Sequence, residues 1–159
     1  MTEESAVCVG WREWVALPEF DLPAIKAKID TGARSSAIHA FDIEQSTDET
    51  GRDWVEFSVH PLQRDDVIVR RCRAPLVDIR RVTDSGGHSE QRLFVQTELV
   101  FGPVRRRIEI TLTQRRDMLF RMLVGRTALK PDTLVDPSRS FLCGRVAARS
   151  LYTDSGASS

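Results

Sequence analysis

The stretch "KAKIDTGARSSAIHA", from Lys26 to Ala40, carries the strongest local signal in the chain. It begins as an apolar strand pattern and stops at Asp30, which Thr31 and Gly32 follow at once. A glycine here lets the backbone turn tightly and come close to a ligand or a second chain. A hydroxyl beside it can hold the turn by bonding to neighbouring backbone. The stretch predicts either an ordinary turn aspartate or a catalytic carboxylate presented at the end of a buried strand.

Composition narrows the class of protein. A chain of 159 residues, 41% hydrophobic and 29% charged, fits one globular domain with a core of its own. It has no apolar run long enough for a membrane span, and its first residues, MTEESAVCVGW, lack the pattern of a secretory signal. The three cysteines, Cys8, Cys72 and Cys143, are odd in number and widely spaced, which argues against a disulfide framework. These features predict a cytoplasmic protein without membrane contact.

The charge pattern is balanced overall but uneven in its residue types. The formal net charge is +0, which gives no general attraction to nucleic acid. Of the 23 basic residues 20 are Arg, whose planar fork suits carboxylates and phosphates better than the ammonium of Lys does. The arginines cluster at residues 70–73, 80–81, 105–107 and 115–116. The sequence leaves two interpretations open: solvated strand faces in an Arg-rich chain, or a local surface for an anionic substrate.

The rest of the chain reads mainly as short strands. Alternating apolar residues predict strands at residues 7–11, 54–59, 67–69, 75–79, 93–100 and 107–113. Turn signals predict two hairpins, one at Phe101-Gly102-Pro103 and one with Ser85, Gly86 and Gly87 at its tip. One short helix is expected at residues 126–129, stopped by Pro131. We expect an all-β barrel or sandwich in a single domain, residues 1–152, with a disordered tail at 153–159.

A second apolar strand supports the catalytic interpretation of Asp30. Met122-Leu123-Val124 is followed by Gly125 and Arg126, and the glycine-rich hairpin lies between this strand and the D-T-G-A motif. The order of these features resembles that of retropepsin-like aspartic proteases. The segments "VGWREWVALPEFDLPAIKAKIDTGARSSAIHA", "RAPLVDIRRV", "RIEITLTQRRDMLFRMLVGRTAL" and "LVDPSRSFL" are similar to the bacterial RimK-associated retropepsin-like family over residues 9–142.

This resemblance implies a fold and a set of site residues. The fold would be an all-β, retropepsin-like closed barrel with a flap hairpin and one short helix near the C-terminal end. The active enzyme would be a homodimer, because the chemistry uses two carboxylates and each chain supplies one, Asp30. Thr31 would bond across the dimer and Gly32 would allow close backbone approach. The substrate-binding residues would be Ala33, Arg34, Ser35, Ser85, Gly86 and Gly87, and the supporting residues Gly125 and Arg126, the latter through an ion pair.

Some schemes label this family "ATP-dependent zinc protease", and the residues contradict that label. The histidines are His39, His60 and His88, and with the cysteines they form no H-E-x-x-H, no C-x-x-C and no pair at zinc-ligand spacing. The phosphate-binding G-x-x-x-x-G-K-[ST] loop is absent from the sequence as well. We therefore expect no metal and no cofactor, and a zinc peptidase remains an alternative by label alone.

The residues after the motif suggest a substrate class. Retroviral enzymes carry acids after D-T-G-A, whereas this chain has Arg34 and Ser35. The resemblance also links the family to ATP-grasp ligases that add glutamate to protein termini. One interpretation is a peptidase that trims glutamate-rich tails, with Arg34, Arg80 and Arg81 as carboxylate forks. The alternative is a catalytically silent retropepsin-like binding module that partners an ATP-grasp ligase.

Overall fold

Strands account for most of the residues that the structure describes. The computed structural model describes residues 6–83, 86–114 and 119–157. Its strands are β1 (Val7–Val9), β2 (Arg12–Leu17), β3 (Leu22–Asp30), β4 (Ser36–His39), β5 (Phe41–Thr47), β6 (Asp53–Val59), β7 (Arg70–Thr83), β8 (Ser89–Phe101), β9 (Val104–Thr113), β10 (Met122–Gly125) and β11 (Thr133–Val135). The helices are α1 (Arg126–Leu129) and α2 (Ala148–Ala157), with a 3-10 turn at Pro18–Phe20.

Six of the described strands form a closed ring. The order β2-β3-β10-β4-β9-β8 is closed by a pairing of β2 with β8, in which Ala16 lies opposite Val100. Side chains that alternate along these strands point into the ring and are fully buried, among them Leu17, Leu22, Ile25, Ile38, Leu99, Ile110 and Met122. Burying an aliphatic side chain contributes about 1.5–3 kcal/mol to folding. The expected all-β closed barrel is confirmed.

The three remaining strands of the large sheet lie outside the ring. Strands β7, β6 and β5 continue it from β8, and β7 and β8 extend further as a two-stranded arm. At the end of the arm Thr83 lies opposite Ser89, and Gly87 has a φ of +87°, which a residue with a side chain rarely adopts. The hairpin predicted at this position is confirmed, while Ser85, one of its predicted tip residues, lies outside the described residues.

A buried acid ties the C-terminal segment to the barrel. The Glu13 side chain on β2 is fully buried, and its carboxylate accepts the backbone N–H groups of Gly10 (2.7 Å), Leu142 (2.8 Å) and Cys143 (2.9 Å). Buried carboxylates are stable in proteins when hydrogen bonds replace the lost water. Close by, β1 and β11 form a small parallel sheet. Glu13 therefore holds the two ends of the domain together.

Two expectations about local structure need correction. Residues 67–69 are loop rather than strand, because the Asp65 carboxylate accepts the Val67 N–H (2.8 Å) and forms a turn. The structure has a second helix, α2, in addition to the helix predicted at 126–129. It packs through Tyr152, which is buried and whose hydroxyl bonds to both backbone groups of Ala24. The division of the chain at residue 152 stays a prediction.

The three cysteines are free thiols: Cys8 is exposed, Cys72 buried and Cys143 half-buried. No helix in the described ranges is long and apolar enough to span a membrane.

Candidate active site

Asp30 lies at the end of β3, where the strand turns sharply into the loop of residues 30–35, here called the DTGA loop. One carboxylate oxygen, Oδ1, accepts the Gly32 N–H (3.2 Å), and the Asp30 carbonyl accepts the Ala33 N–H (3.1 Å). The preceding residue, Ile29, is buried in the core, whereas Thr31 and Gly32 are exposed. The buried strand therefore fixes the backbone of Asp30 and the turn orients its carboxylate toward the protein surface.

Gly125 allows the DTGA loop to pass directly over β10. Strands β3 and β10 are parallel neighbours, and Gly125 lies opposite Asp30. A Cβ atom on Gly125 would lie 2.5 Å from the carbonyl carbon of Ser35 and 2.9 Å from the Arg34 carbonyl oxygen, both backbone atoms. The Gly125 N–H donates to the hydroxyl of buried Ser36 (3.0 Å). A side chain at this position would push the loop away.

The first turn of α1 holds the DTGA loop through its carbonyl groups. The Arg126 N–H donates to the Ala33 carbonyl (2.8 Å), and the Thr127 hydroxyl donates to the Arg34 carbonyl (2.8 Å). The Arg126 guanidinium reaches the carbonyls of Gly32 (3.3 Å) and Thr31 (3.5 Å). These contacts connect each residue from 31 to 34 to α1.

Arg126 supports the loop within one chain, and the expected ion pair, to the loop or across a dimer interface, stays a prediction. Within the described ranges its guanidinium meets backbone carbonyls and no carboxylate. The reason is the direction of the loop, which turns its carbonyl oxygens toward α1. Arg126 supports the loop by hydrogen bonding.

A cleft of about 600 Å³ opens beside the DTGA loop. Its lining includes Arg34 and Ser35 from the loop, Thr127 from α1, Arg80 from β7, and Arg107 and Glu109 from β9. Two of these arginines are paired: Arg80 with Asp78 (2.6 Å) and Glu109 (3.2 Å), and Arg107 with Glu19 (2.7 Å). Arg80 holds the pKa of the Asp78 carboxyl below its usual value.

Arg34 differs from its neighbours in the cleft. Its side chain is exposed, and it forms no ion pair with any described residue. An unpaired guanidinium beside a loop that carries an acid is suited to bind an anionic group. Of the three arginines expected to act as carboxylate forks, Arg34 and Arg80 line this cleft. Their role in binding a substrate stays a prediction.

Other predicted site residues lie elsewhere or are less constrained. Ala33 is half-buried within the loop, and Arg81 is exposed on the arm. Gly86 and Gly87 lie at the tip of the arm and are not part of the cleft lining. A Cβ atom on Gly32 would touch only the Asp30 Oδ1, at 3.4 Å. Among the described residues of one chain, no backbone segment approaches Gly32 closely enough to require a glycine there.

Sequence reasoning missed two residues that hold the loop, Ser36 and Thr127. Both follow a recognised motif directly, Ser36 after D-T-G-A-R-S and Thr127 after L-V-G-R. Their hydroxyls bond to Gly125 and Arg34 across the two motifs. The signal that could have found them is a small hydroxyl residue next to each motif, which is common in any sequence.

Among the described residues, the donor side chains do not fit the zinc ion of the family label. In the described ranges no three side chains of His, Cys, Asp or Glu are grouped so that they could hold a metal. His39 is buried, and His60 stacks on Phe41 with ring centres 4.5 Å apart while its Nδ1 lies 3.3 Å from the Ile68 carbonyl oxygen.

Comparisons with known proteins give relatives and a family. The family model described as "Retropepsin-like aspartic endopeptidase RimB" (RimB-like) matches residues 8–145. A probable alpha-L-glutamate ligase of Shewanella pealeana is 44% identical over 136 residues, which cover 86% of this chain and 30% of the relative. One of Shewanella halifaxensis is 42% identical over 147 residues, covering 91% of this chain and 32% of the relative. The chain thus spans about a third of the length of these curated relatives.

A solved structure has the same fold. The crystal structure of Lpg0085 from Legionella pneumophila, a protein described as of unknown function (DUF785), aligns with a TM-score of 0.72 and 26% identity. The alignment covers 87% of this chain and 99% of the other. The family match spans both the strand that ends at Asp30 and the strand that ends at Gly125, so the resemblance in the motifs is confirmed. The chain belongs to the RimB-like family of retropepsin-like aspartic endopeptidases.

Proposed function

We propose that this chain is an aspartic-type peptidase that acts as a homodimer in the cytoplasm. The observation that carries the proposal is the placement of Asp30, with Oδ1 held by the Gly32 N–H and the loop braced by Gly125 and Arg126. Such bracing from both sides gives the preorganisation that a catalytic group requires. Free thiols such as exposed Cys8 are typical of a reducing compartment.

The chemistry calls for a second carboxylate, which a second copy of the chain would supply. Two carboxylates about 3 Å apart share one proton, because like charges at that distance disfavour full ionisation. The ionised one takes a proton from water, and the protonated one donates a hydrogen bond to the scissile carbonyl. The water oxygen adds to the carbonyl carbon, and the acid that took the proton from water then gives it to the leaving amine as the C–N bond breaks.

Thr31 and Gly32 would form the centre of the dimer. Both are exposed in the single chain, although the strand that leads into them is buried. Thr31 would hydrogen-bond across the two-fold axis beneath the two acids. Gly32 would let the two loops approach closely, which explains a glycine that its own chain does not crowd.

The substrate class follows from the cleft beside the loop. Arg34 offers a guanidinium there that pairs with no carboxylate of the described residues, and Ser35 offers a hydroxyl, beside the paired Arg80. The relatives are named probable alpha-L-glutamate ligases, so an acidic, glutamate-rich peptide tail is the substrate that fits both observations. Ala33 would line the reacting centre, and Gly86 and Gly87 would contact the peptide from the arm, with Ser85 beside them.

A second candidate is a catalytically silent binding module that partners an ATP-grasp ligase. The specific observation in its favour is that the chain covers only about 30% of the length of a relative named as a ligase. Silent and active forms would both bind acidic peptides, and they differ only in turnover.

Hydrolysis of a glutamate-rich peptide and a neutral peptide of equal length, measured side by side, tests the proposal. The wild-type chain should cleave the acidic peptide preferentially, and Asp30→Asn should abolish cleavage while it retains binding. Equal or better cleavage of the neutral peptide would refute the substrate class. Binding without any cleavage by the wild type would favour the silent module.

A further inference from the structure

A second cationic surface lies away from the cleft, on the outer face of β2 and β3. Arg12 lies opposite Lys28 and Trp14 opposite Lys26 in this antiparallel pair. Because side chains alternate along a strand, these residues face outward while Val15, Ile25 and Ala27 fill the core. With Arg64 and Arg145 from neighbouring loops they form what we call the cationic face, which consists of Arg12, Lys26, Lys28, Arg64 and Arg145 around Trp14 and Phe141.

Aromatic rings hold several of these cations in place. The Arg12 guanidinium lies 4.7 Å from the Trp11 ring centre and 4.9 Å from that of Phe141. The Arg145 guanidinium is 4.8 Å from Phe141, and the Lys26 ammonium is 5.4 Å from Trp14. Cations over ring faces are stabilised by the ring quadrupole and lose mobility. The positive charges are therefore positioned before any partner arrives.

The cationic face lacks the counter-charges that neutralise the other arginines. Elsewhere arginines meet acids, as Arg105 meets Glu98 (2.7 Å) and Arg106 meets Asp132 (2.8 Å). Among the described residues, none of the five cations of this face forms an ion pair with a carboxylate. A chain of zero formal net charge thus leaves one local surface strongly positive.

Apart from Asp30 at the end of β3, two acids near the face are committed to other partners. Glu13 is buried and accepts three backbone N–H groups, and Asp65 is paired with Arg149 (2.6 Å). Burial lowers the pKa of Lys26 below its usual value, and the charges of Arg12 and Arg64 lower it further. This crowding of like charges would be relieved by an anion bound at the face.

We propose that the cationic face binds an acidic protein segment, at a site separate from the cleft beside Arg34. Guanidinium forks suit carboxylates, and a recess of about 430 Å³ lined by Trp14, Lys26, Gln63 and Arg64 can receive a side chain. Nucleic acid fits less well, because the aromatic faces that would stack on bases are already covered by the protein's own cations. Binding at this face does not depend on the peptidase activity proposed for Asp30.

The position of the face suggests how it serves the proposed site. Lys26, Lys28 and Asp30 alternate along β3 and lie on the same side of the strand. At roughly 3.3 Å per residue, Asp30 is about 13 Å from Lys26 along the strand. An acidic segment bound at the face would extend toward the end of the strand that carries the candidate catalytic acid.

Binding of a fluorescein-labelled decaglutamate peptide, measured by fluorescence anisotropy, tests the inference. All chains carry Asp30→Asn, so that hydrolysis cannot interfere and a failure of the catalytic proposal leaves the assay intact. The double variant Arg64→Gln with Arg145→Gln removes two exposed charges and should weaken binding about five- to tenfold. Arg105→Gln, which removes an exposed but paired arginine, is the matched control and should bind like the parent.

Three outcomes would overturn the inference. Unchanged binding by the double variant would show that the cationic face does not bind the peptide. If Arg34→Gln alone weakened binding, the peptide would be held in the cleft instead. Equal affinity for a decaglutamine peptide would exclude charge recognition. Tighter binding of decauridine RNA than of decaglutamate, lost in the double variant, would show that the partner is a nucleic acid.

Discussion

Asp30 and Gly125 lie opposite each other in the parallel pair of β3 and β10, and the loop that begins at Asp30 returns over Gly125. The glycine leaves room for the backbone of Ser35, which would be 2.5 Å from a Cβ atom at that position. The position of the candidate catalytic acid therefore depends on the absence of a side chain on the neighbouring strand.

Gly125→Ala should destabilise the fold and displace the DTGA loop. The new Cβ meets backbone atoms that have no free rotamer to adopt, and overpacking of this kind costs about 1–3 kcal/mol. Urea unfolding of the dilute chain measures the loss. Gly32→Ala is the comparison, because its Cβ would touch only the Asp30 Oδ1 and should leave the free energy of unfolding nearly unchanged. Equal stabilities for wild type and Gly125→Ala would contradict this packing.

Arg126→Gln should lower activity more than it lowers stability. It removes the guanidinium that bonds to the Thr31 and Gly32 carbonyls, at a cost of about 1 kcal/mol, or roughly fivefold in kcat/KM. Arg126→Lys keeps a donor that can reach the carbonyls and should restore part of the loss. Full activity of the Gln variant on the peptide substrate would show that the loop does not need this support.

Arg34→Gln should reduce selectivity for acidic peptides. Loss of the unpaired guanidinium in the cleft should lower kcat/KM for a glutamate-rich peptide about tenfold and leave a neutral peptide unaffected. Arg81→Gln is the matched variant, since Arg81 is an exposed arginine outside the cleft lining. A larger effect at Arg81 than at Arg34 would place acidic recognition on the arm instead.

The three thiols should differ sharply in reactivity at pH 8. Burial raises the pKa of Cys72 to about 12 and that of Cys143 to about 11, so both remain protonated at pH 8 and react poorly. Exposed Cys8 should be labelled first by a thiol reagent, and Cys72 only after unfolding in denaturant. Labelling of Cys72 in the folded chain as fast as that of Cys8 would contradict the packing of β7.

The features predicted from sequence depend on short-range patterns. Period-two alternation predicts strands such as Arg107–Thr113, which lies within β9, and the glycines at 86 and 87 predict the arm. Asp30 and Gly125 were recognised because each follows an apolar strand within one short motif. These signals are local, so they predict individual strands and turns; the roles of Asp30 and Gly125 stay predictions.

The features that sequence analysis missed depend on contacts between distant parts of the chain. Glu13 accepts the N–H groups of Leu142 and Cys143, which lie 129 and 130 positions further along the chain. Tyr152 bonds to Ala24, which lies 128 positions before it. No local pattern distinguishes such an acid from a solvated one. Val67, in the predicted strand at 67–69, is 89% exposed, and its N–H bonds to the Asp65 carboxylate in a turn. The meeting of Arg34 with Arg80 in one cleft likewise depends on the order of the strands in the sheet, which joins segments distant in sequence.

Whether two Asp30 side chains form one site is decided most directly by a mixed dimer. Wild-type and Asp30→Asn chains carrying different tags are co-expressed, the dimer with one of each is isolated through both tags, and hydrolysis of the glutamate-rich peptide is measured. If the two acids act as a pair, the mixed dimer is as inactive as the doubly substituted one. Half of the wild-type activity would mean that each chain works alone and would contradict the shared site.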